Sequence, residues 1–465
     1  MKSKLFKSSF IFTLGNLLIQ GLAFITLPIY TSIISPEIYG KFNLYLAWVS
    51  LFSLFIGLQT AGSLSSARVK YSEAEYNRYA VSAFTLSNIF FIVVLLLTTF
   101  VRDYLALVLE LSPTMTLVLV SQSYFQYVVS FLGQYFIQDQ KATATLFFSA
   151  VSAILNTILS ILLIYRLEDD FLARVIGNFA PSLLVALIAI FFLYSRGEPL
   201  LDRKYIRFIL AVSLPLIFHN VGHQLLNQLD RIMLGKLMTT KEVALYSFGY
   251  NVGLVIQIVL GSLNTAWVPW FFEARKKQSE NLQQVILQYL SIGLFLTLGY
   301  LTIFPELSLL LGGTAYQQGN SFIALIVISY FFVFLYTFPV NIQFYYADTR
   351  MIPLGTLLAA GLNFLLNLVF IPLFEINGAA YATLVSYFFL LLLHHLVSKK
   401  KYGYKDVSEK TYLVFVMVSF VYAMIMTTFS QWLWLRWSIG LVVLLGYAYY
   451  YKDYILKFIA KKEKK

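Results

Sequence analysis

The sequence predicts an all-α integral membrane protein of about fourteen transmembrane helices. Of its 465 residues, 59% are hydrophobic and only 12% are charged, whereas a soluble domain carries about 25% charged residues. The mean hydropathy is +0.75. Apolar windows of about 20 residues, long enough to cross a bilayer, recur along the whole chain. Because the connecting segments are short, no room remains for a soluble catalytic domain.

The apolar windows follow one another with short polar or basic stretches between them. The fifth has indistinct edges, and the seventh is unusually polar for a membrane span. In chain order they predict helices over residues 10–30, 42–62, 81–101, 115–136, 145–165, 173–194, 209–230, 243–264, 285–304, 321–342, 352–372, 378–397, 411–430 and 434–451.

The distribution of basic residues predicts the orientation. If both termini are cytoplasmic, about three quarters of the 34 Lys and Arg residues fall in inner loops and tails, as the positive-inside rule requires. The net charge of +12 is therefore interpreted as a topology signal and not as a nucleic-acid-binding surface.

An internal repeat predicts how the helices are grouped. A shift of 204 residues pairs the segment 35–42 with 239–246, and a shift of 207 pairs Glu168 with Glu375. The identities are few, so chance is the alternative. The repeat predicts an N-lobe over residues 1–200, a C-lobe over 201–400, and two appended helices with a basic tail over 401–465. Two parallel six-helix lobes around a central cavity are a transporter layout.

The seventh helix carries a polar stripe that lipid alone would not tolerate. On a helix its members fall within roughly 60° of one another, and the repeat places a shorter copy on the first helix. Either the stripe holds neighbouring helices together by hydrogen bonds, or it lines a cavity for a hydrated substrate. Its members are Asn220, Gln224, Asn227 and Arg231 on the seventh helix, and Asn16 and Gln20 on the first.

Five charged or titratable residues have alternative interpretations. Arg68, at the inner end of the second helix, is either a topology determinant or a contact for an anionic headgroup, and Arg174 is a similar candidate. Asp230 and Arg231 either lie at the interface with water-exposed heads or face the cavity. In the cavity, Asp230 and His223 are candidates for ion coupling.

Other chemistry lacks a basis in the sequence. The chain has no cysteine, which excludes disulfides and thiolate metal sites. No Walker A loop, zinc-binding helix or nucleophile elbow is present, so the expectation is a transporter and not an enzyme, without a bound metal or cofactor.

Four segments give the sequence a family resemblance. They are LPIYTSIISPEIYGKFNLY (27–45), SLPLIFHNVGHQLLNQLDRIMLGKLMTTKEVALYSFGY (213–250), FPELSLLLGGTAYQQG (304–319) and LNFLLNLVFIPLFEINGAAYATLVSY (362–387). In their order and spacing the chain resembles the polysaccharide repeat-unit flippases of the multidrug/oligosaccharidyl-lipid/polysaccharide exporter superfamily. The resemblance implies transport of undecaprenyl-pyrophosphate-linked oligosaccharide repeat units across the bacterial cytoplasmic membrane, from the inner to the outer leaflet, by alternating access.

The resemblance also implies partners and alternatives. The partners are the lipid-linked oligosaccharide, membrane lipids, and polymerases and glycosyltransferases of capsule, O-antigen or exopolysaccharide synthesis. Transport would be driven by H⁺, Na⁺ or the membrane potential. A cation-coupled drug or metabolite exporter on the same scaffold is the main alternative, and a membrane glycan polymerase or acyltransferase is another.

Overall fold

The computed structural model describes residues 21, 24–139, 141–197 and 201–450. Across these residues the regular structure is helical, with one 3₁₀ turn, Thr314–Gly319. The α-helices are α1 (Phe24–Ile33), α2 (Pro36–Ile56), α3 (Thr60–Lys70), α4 (Glu73–Leu109), α5 (Pro113–Gln138), α6 (Ala142–Ile164), α7 (Asp170–Tyr194), α8 (Arg203–Leu237), α9 (Thr240–Lys276), α10 (Leu282–Gly312), α11 (Asn320–Tyr345), α12 (Met351–Tyr402), α13 (Glu409–Thr428) and α14 (Leu433–Tyr450).

Many of the helices begin at a side-chain cap. Each cap oxygen accepts a hydrogen bond from a backbone N–H of the first turn, which would otherwise be unpaired. In α2 and α5 a proline follows the cap, at the position where its missing N–H is harmless. The capping residues are Ser35, Ser112, Asp169, Asp202 and Ser408.

The spans agree with the fourteen predicted. Ten helices are long and apolar enough to cross a bilayer, and α2 with α3, bent by 43°, makes a further span. The helix α12 is two spans, because the chain reverses at Glu375 (φ 53°, ψ −135°). A Cβ on Gly378 would overlap the carbonyl of Phe370, and one on Gly355 would lie 2.9 Å from His394 Nε2, so its two halves are antiparallel. The shorter helices α1 and α14 match the first and fourteenth predictions. The predicted fold class is confirmed.

The packing divides the chain into two units, Met1–Ala244 and Leu245–Lys465. In the first unit, α2, α5 and α7 pack together and α4 and α8 pack against them. Its core is rich in buried aromatic rings, among them Tyr45, Phe84 and Phe131. In the second unit, α11 packs against α10, α12 and α13 and is buried over most of its length.

The border between the units lies later than the border of the repeat. The helix α8 packs against α2, α3 and α4, which assigns it to the first unit. The division at residue 200 describes sequence equivalence and stays a prediction, as does the cavity between the lobes. The helix starts agree with the repeat: α2 begins at Pro36 and α9 at Thr240, 204 residues apart. Glu168 lies between α6 and α7, and its counterpart Glu375 lies at the reversal of α12.

Candidate functional site

A break between α2 and α3 is the most irregular backbone of the first unit. Leu58 and Gln59 both have left-handed conformations, with φ of 48° and 52°. For residues with a Cβ this conformation costs about 1–2 kcal/mol each. The break also removes helical hydrogen bonds, and side chains replace them: Gln59 Nε2 donates to the Leu54 carbonyl at 3.4 Å, and Ser87 Oγ donates to the Gly57 carbonyl at 3.1 Å. The irregular backbone is therefore held by polar side chains, as is required inside a membrane.

A buried cluster of hydroxyl groups holds the break in place. Thr60 Oγ1 lies 2.8 Å from Ser87 Oγ and 2.6 Å from the Tyr127 hydroxyl, which donates to Ser87 at 2.7 Å. Thr60 and Ser87 are fully buried. Gly57 is required here because a Cβ at this position would overlap the Tyr127 ring. The break is thus a built feature of the fold.

The polar stripe of α8 reaches this break. Asn220 Nδ2 donates to Gln59 Oε1 at 2.8 Å. The two helices approach closely at a neighbouring point, where a Cβ on Gly62 would lie 2.8 Å from Leu216 Cδ1. Asn220, the first residue of the stripe, therefore joins α8 to the break, as expected if the stripe holds neighbouring helices together.

The next residue of the stripe differs. Gln224 is partly exposed and forms no hydrogen bond among the residues that the structure describes. Its carboxamide can both donate and accept. It is therefore available to a hydrated ligand.

The last two residues of the stripe, Asn227 and Arg231, belong to a hydrogen-bonded cluster within α8. Asn227 Nδ2 donates to the His223 carbonyl at 3.0 Å and lies 3.2 Å from His223 Nδ1. Arg231 donates through one terminal nitrogen to the Asn227 carbonyl at 2.7 Å and to Gln228 Oε1 at 3.0 Å. His223 is exposed, whereas Arg231 is buried. These contacts set the direction of the guanidinium.

The placement of Asp230 and Arg231 corrects one interpretation. The alternative with water-exposed heads at the interface is wrong, because their exposed fractions are 2% and 7%. The physical reason is that α8 continues past both residues to Leu237 and packs against α2, α3 and α4. Lys236, five residues further on, holds this end of α8 to α4 through an ion pair with Glu110 at 2.7 Å.

Arg68 lies in a separate cluster at the end of α3. Its guanidinium is 3.8 Å from Asp139 and 4.8 Å from the centre of the Tyr76 ring. Lys141 approaches the same carboxylate at 3.1 Å. One third of the Arg68 side chain is exposed. One carboxylate shared by two cations leaves positive charge at this surface, which suits an anion. No sequence pattern indicated the Asp139 contact, since it joins residues 71 positions apart.

Arg174 forms a buried cation–π contact. Its guanidinium lies 3.5 Å from the centre of the Tyr30 ring and 4.2 Å from that of Phe42. Only 7% of the residue is exposed. The rings hold its charge within α1, α2 and α7, away from the cluster around Arg68 on α3. Arg174 is therefore part of the packing, whereas the sequence presented it as a candidate similar to Arg68.

The structure thus joins some predicted residues and leaves others apart. Asn220 meets the α2–α3 break, and His223, Asn227 and Arg231 form one cluster, while Arg68 belongs to another. Asn16 and Gln20 lie outside the described residues. Gln59 was missed, although the sequence FIGLQTAGS, with two glycines and an amide in an apolar span, was a signal for it. Among the described residues, no group of three His, Asp or Glu side chains could hold a metal ion.

The family follows from the sequence comparison. Residues 5–275 match the family described as polysaccharide biosynthesis protein, which is more than half of the chain. The chain belongs to this family. A similar relative is the Lsg locus putative protein 1 of Haemophilus influenzae, 24% identical over 408 residues that cover 85% of this chain and 98% of the relative. Another, an uncharacterized membrane protein of the same organism, is 26% identical over 81% of this chain and 94% of its own length.

Solved structures show the fold of this family member. A lipid II flippase MurJ in an inward closed conformation superposes with a TM-score of 0.75 at 15% identity, covering 96% of this chain and all of that one. An inward-facing multidrug resistance MATE family transporter of the MOP superfamily gives 0.66 at 12% identity, covering 84% and 98%. The family member is thus a multi-pass membrane protein with the fold of flippases and transporters.

Proposed function

We propose that this protein is a flippase that moves undecaprenyl-pyrophosphate-linked oligosaccharide repeat units from the cytoplasmic to the outer leaflet. The family and the flippase-like fold support the reaction class. The observation that carries the proposal is the polar stripe of α8. It places amides and one buried guanidinium at membrane depth, and these groups match sugar hydroxyls and phosphate oxygens.

The residues of the stripe differ in whether protein hydrogen bonds already hold them. Asn220 is held by Gln59, and Arg231 by Asn227 and Gln228, so both are positioned before any substrate arrives. Gln224, between them, is free to bind. Preorganised polar groups lose less entropy on binding than mobile ones. We assign Gln224 and Asn227 to sugar contacts and Arg231 to the phosphate-bearing end.

In this proposal, Arg68 recruits the anionic headgroup of the substrate. It lies on the predicted cytoplasmic side, partly exposed, beside a carboxylate that Lys141 also neutralises. An anionic headgroup can therefore compete for the guanidinium without leaving Asp139 unpaired. The inside-negative membrane potential then favours outward movement of the anion, by about 2.3 kcal/mol per charge per 100 mV. Alternating access of the two lobes and cytoplasmic termini are parts of the same proposal.

The test measures flipping directly. The full chain is reconstituted in vesicles with a lipid-linked oligosaccharide, and its accessibility on the far leaflet is followed with a glycan-cleaving enzyme. We expect flipping by the wild type and a rate reduced at least about tenfold by Gln224→Ala and by Arg68→Gln. Arg68→Lys should retain part of the rate, because it keeps the charge but loses the two-pronged contact. Wild-type vesicles that do not flip the substrate would refute the proposal.

A matched control separates local from general electrostatic effects. Arg102 is half exposed and pairs with its sequence neighbour Asp103 on α4, so Arg102→Gln also removes one positive charge. We expect it to leave the rate unchanged. Collapse of the membrane potential should slow the wild type, and an unchanged rate would remove the potential as a driving force.

The alternative is a cation-coupled exporter of drugs or metabolites, and the fold shared with a MATE transporter favours it. It predicts that deletion of the gene sensitises cells to apolar cations and leaves no lipid-linked oligosaccharide behind. The flippase proposal predicts the reverse, with the lipid-linked oligosaccharide accumulating on the cytoplasmic leaflet.

A further inference from the structure

Two adjacent histidines lie buried in the second unit, outside the site described above. His394 and His395 are 0% and 3% exposed. They belong to the second half of α12, just before the basic residues Lys399–Lys401 of its last turn. Histidine is the side chain whose ordinary titration falls closest to physiological pH. Burial of two of the four histidines of the chain side by side therefore calls for a physical explanation.

His395 lies between two aromatic rings and one carboxylate. Its ring lies 5.9 Å from that of Tyr404 and 5.1 Å from that of Tyr412. Neither ring nitrogen has a hydrogen-bond partner in the described chain. Nε2 is nevertheless 3.4 Å from Glu409 Oε1. A neutral imidazole leaves both nitrogens unsatisfied, whereas an imidazolium can pair with this carboxylate through a small shift.

Glu409 connects the buried ring to water. It is the first residue of α13, and about half of its side chain is exposed. Lys399 also pairs with it. The carboxylate can accept a proton from water and pass it to His395 Nε2, leaving the imidazolium–carboxylate pair behind. The proton therefore has an entrance from the side that carries the loop 403–408.

His394 faces the opposite way, toward α11. Its Nδ1 lies 3.0 Å from Gln343 Nε2, which also donates to Ser398 Oγ at 3.2 Å. Ser398 in turn donates to the carbonyl of Pro339, inside α11, at 2.7 Å. Because an amide N–H2 is a donor, Nδ1 accepts here and is unprotonated. A proton on Nδ1 would face the Gln343 donor and require the amide to turn.

This turn would alter the support of α11. With its oxygen toward His394, the Gln343 amide no longer donates to Ser398, which has its own hydrogen bond to Pro339. A proline removes a helical hydrogen bond and marks the place where a helix bends. The network thus links the protonation of a histidine to the hydrogen bonds around Pro339 in α11, the central helix of the second unit.

Other charged groups near this region are paired with one another. Asp348 pairs with Lys401, and Arg275 with Asp406. The Tyr404 and Tyr412 hydroxyls lie 3.3 Å apart, and the Tyr336 ring stacks on His394 at 5.8 Å. Among the described residues, Glu409 is therefore the carboxylate in ion-pair contact with His395.

We propose that His394 and His395 form a site that binds one proton, with Glu409 as its entrance and counter-ion. One proton is expected because two adjacent imidazolium groups would repel each other. A proton that moves on to His394 Nδ1 would require the Gln343 amide to turn, and would so change the contacts between α11 and α12 through Gln343 and Ser398. The role of this proton as the coupling ion of transport rests on the proposed function.

The first experiment tests proton binding without transport. Solid-state NMR of the full chain in bilayers, labelled at histidine with ¹⁵N, follows the imidazole signals between about pH 8 and pH 5. His394→Gln and His395→Gln assign the signals. We expect one of the pair to become charged, and Glu409→Gln to weaken proton binding about tenfold, which is one pH unit. Glu273→Gln, which removes an exposed carboxylate paired with Lys277, should change nothing. Two rings that stay neutral to about pH 5, or a midpoint indifferent to Glu409→Gln, would overturn the site.

The second experiment tests coupling. Flipping is measured in vesicles with and without a pH difference across the membrane, at zero potential. We expect the pH difference to change the wild-type rate and His395→Gln to abolish that response. A wild-type rate that ignores the pH difference would overturn the coupling role. If the wild type moves no lipid-linked oligosaccharide at all, the proposed function fails, while the NMR titration decides the proton site independently.

Discussion

The hydrogen bond between Asn220 and Gln59 should have a measurable coupling energy. Asn220 Nδ2 donates to Gln59 Oε1 at 2.8 Å, a full-strength geometry. Interhelical hydrogen bonds in membrane proteins average about 0.6 kcal/mol and reach about 1.7 kcal/mol. Gln59 Nε2 also supports the Leu54 carbonyl at the α2–α3 break. We therefore expect Gln59→Ala to destabilise the fold more than Asn220→Ala, with a coupling energy of about 1 kcal/mol between them.

The assay is a double-mutant cycle on the free energy of unfolding of the full chain in bicelles. Asn43 supplies a matched control, since it is also partly buried in the first unit but donates to the Tyr39 carbonyl of its own helix at 2.8 Å. Asn43→Ala combined with Gln59→Ala should be additive within about 0.3 kcal/mol. If Asn220 and Gln59 are equally additive, the stripe does not support the break, and the reasoning that joins α8 to it is refuted.

Two further predictions concern the packing of each unit. Arg436 is 2% exposed and makes a two-pronged ion pair with Glu306, which joins α14 to α10. Arg436→Ala should lower the free energy of unfolding by about 2–3 kcal/mol. A loss below about 0.5 kcal/mol would show that water can replace the pair. In the first unit, a Cβ on Gly177 of α7 would lie 2.6 Å from Ser160 Cα of α6, so Gly177→Ala should cost about 1–3 kcal/mol. Gly299→Ala, where nothing lies within 4 Å, is the control and should be neutral or stabilising by up to about 1 kcal/mol; equal effects of the two glycine substitutions would contradict the close α6–α7 contact.

The hydropathy of the chain was sufficient for the fold class. A membrane span must satisfy its own backbone and bury apolar side chains, so windows of about 20 apolar residues report helices almost directly. The helix starts agree with the repeat because a cap acts locally. Ser35 caps α2, and the equivalent position 204 residues later again precedes a helix, α9.

The contacts of the site depended on residues distant in sequence. The amides of the α8 stripe were evident from their 3.6-residue period, but the partner of Asn220 lies 161 positions away at a break that no periodicity marks. The sequence likewise left open whether Asp230 and Arg231 are exposed or enclosed, because a window of apolar residues ends at the first charges, whereas the helix continues through them to Leu237.

The sequence by itself determined that this protein lies in a membrane, where its helices run, and that the seventh span has a polar face. These features depend on local composition and on a fixed helical period. Only the tertiary structure decided which polar groups are already paired and which remain available to a ligand or a proton. Gln59 and Asn220 are hydrogen-bonded to each other, Gln224 has no such partner in the part of the chain that the structure describes, and His395 on α12 lies beside Glu409 on α13. Pairing depends on distance in space and not on distance along the chain. Because an unpaired polar group in a membrane is costly, this pairing decides which groups remain available for binding.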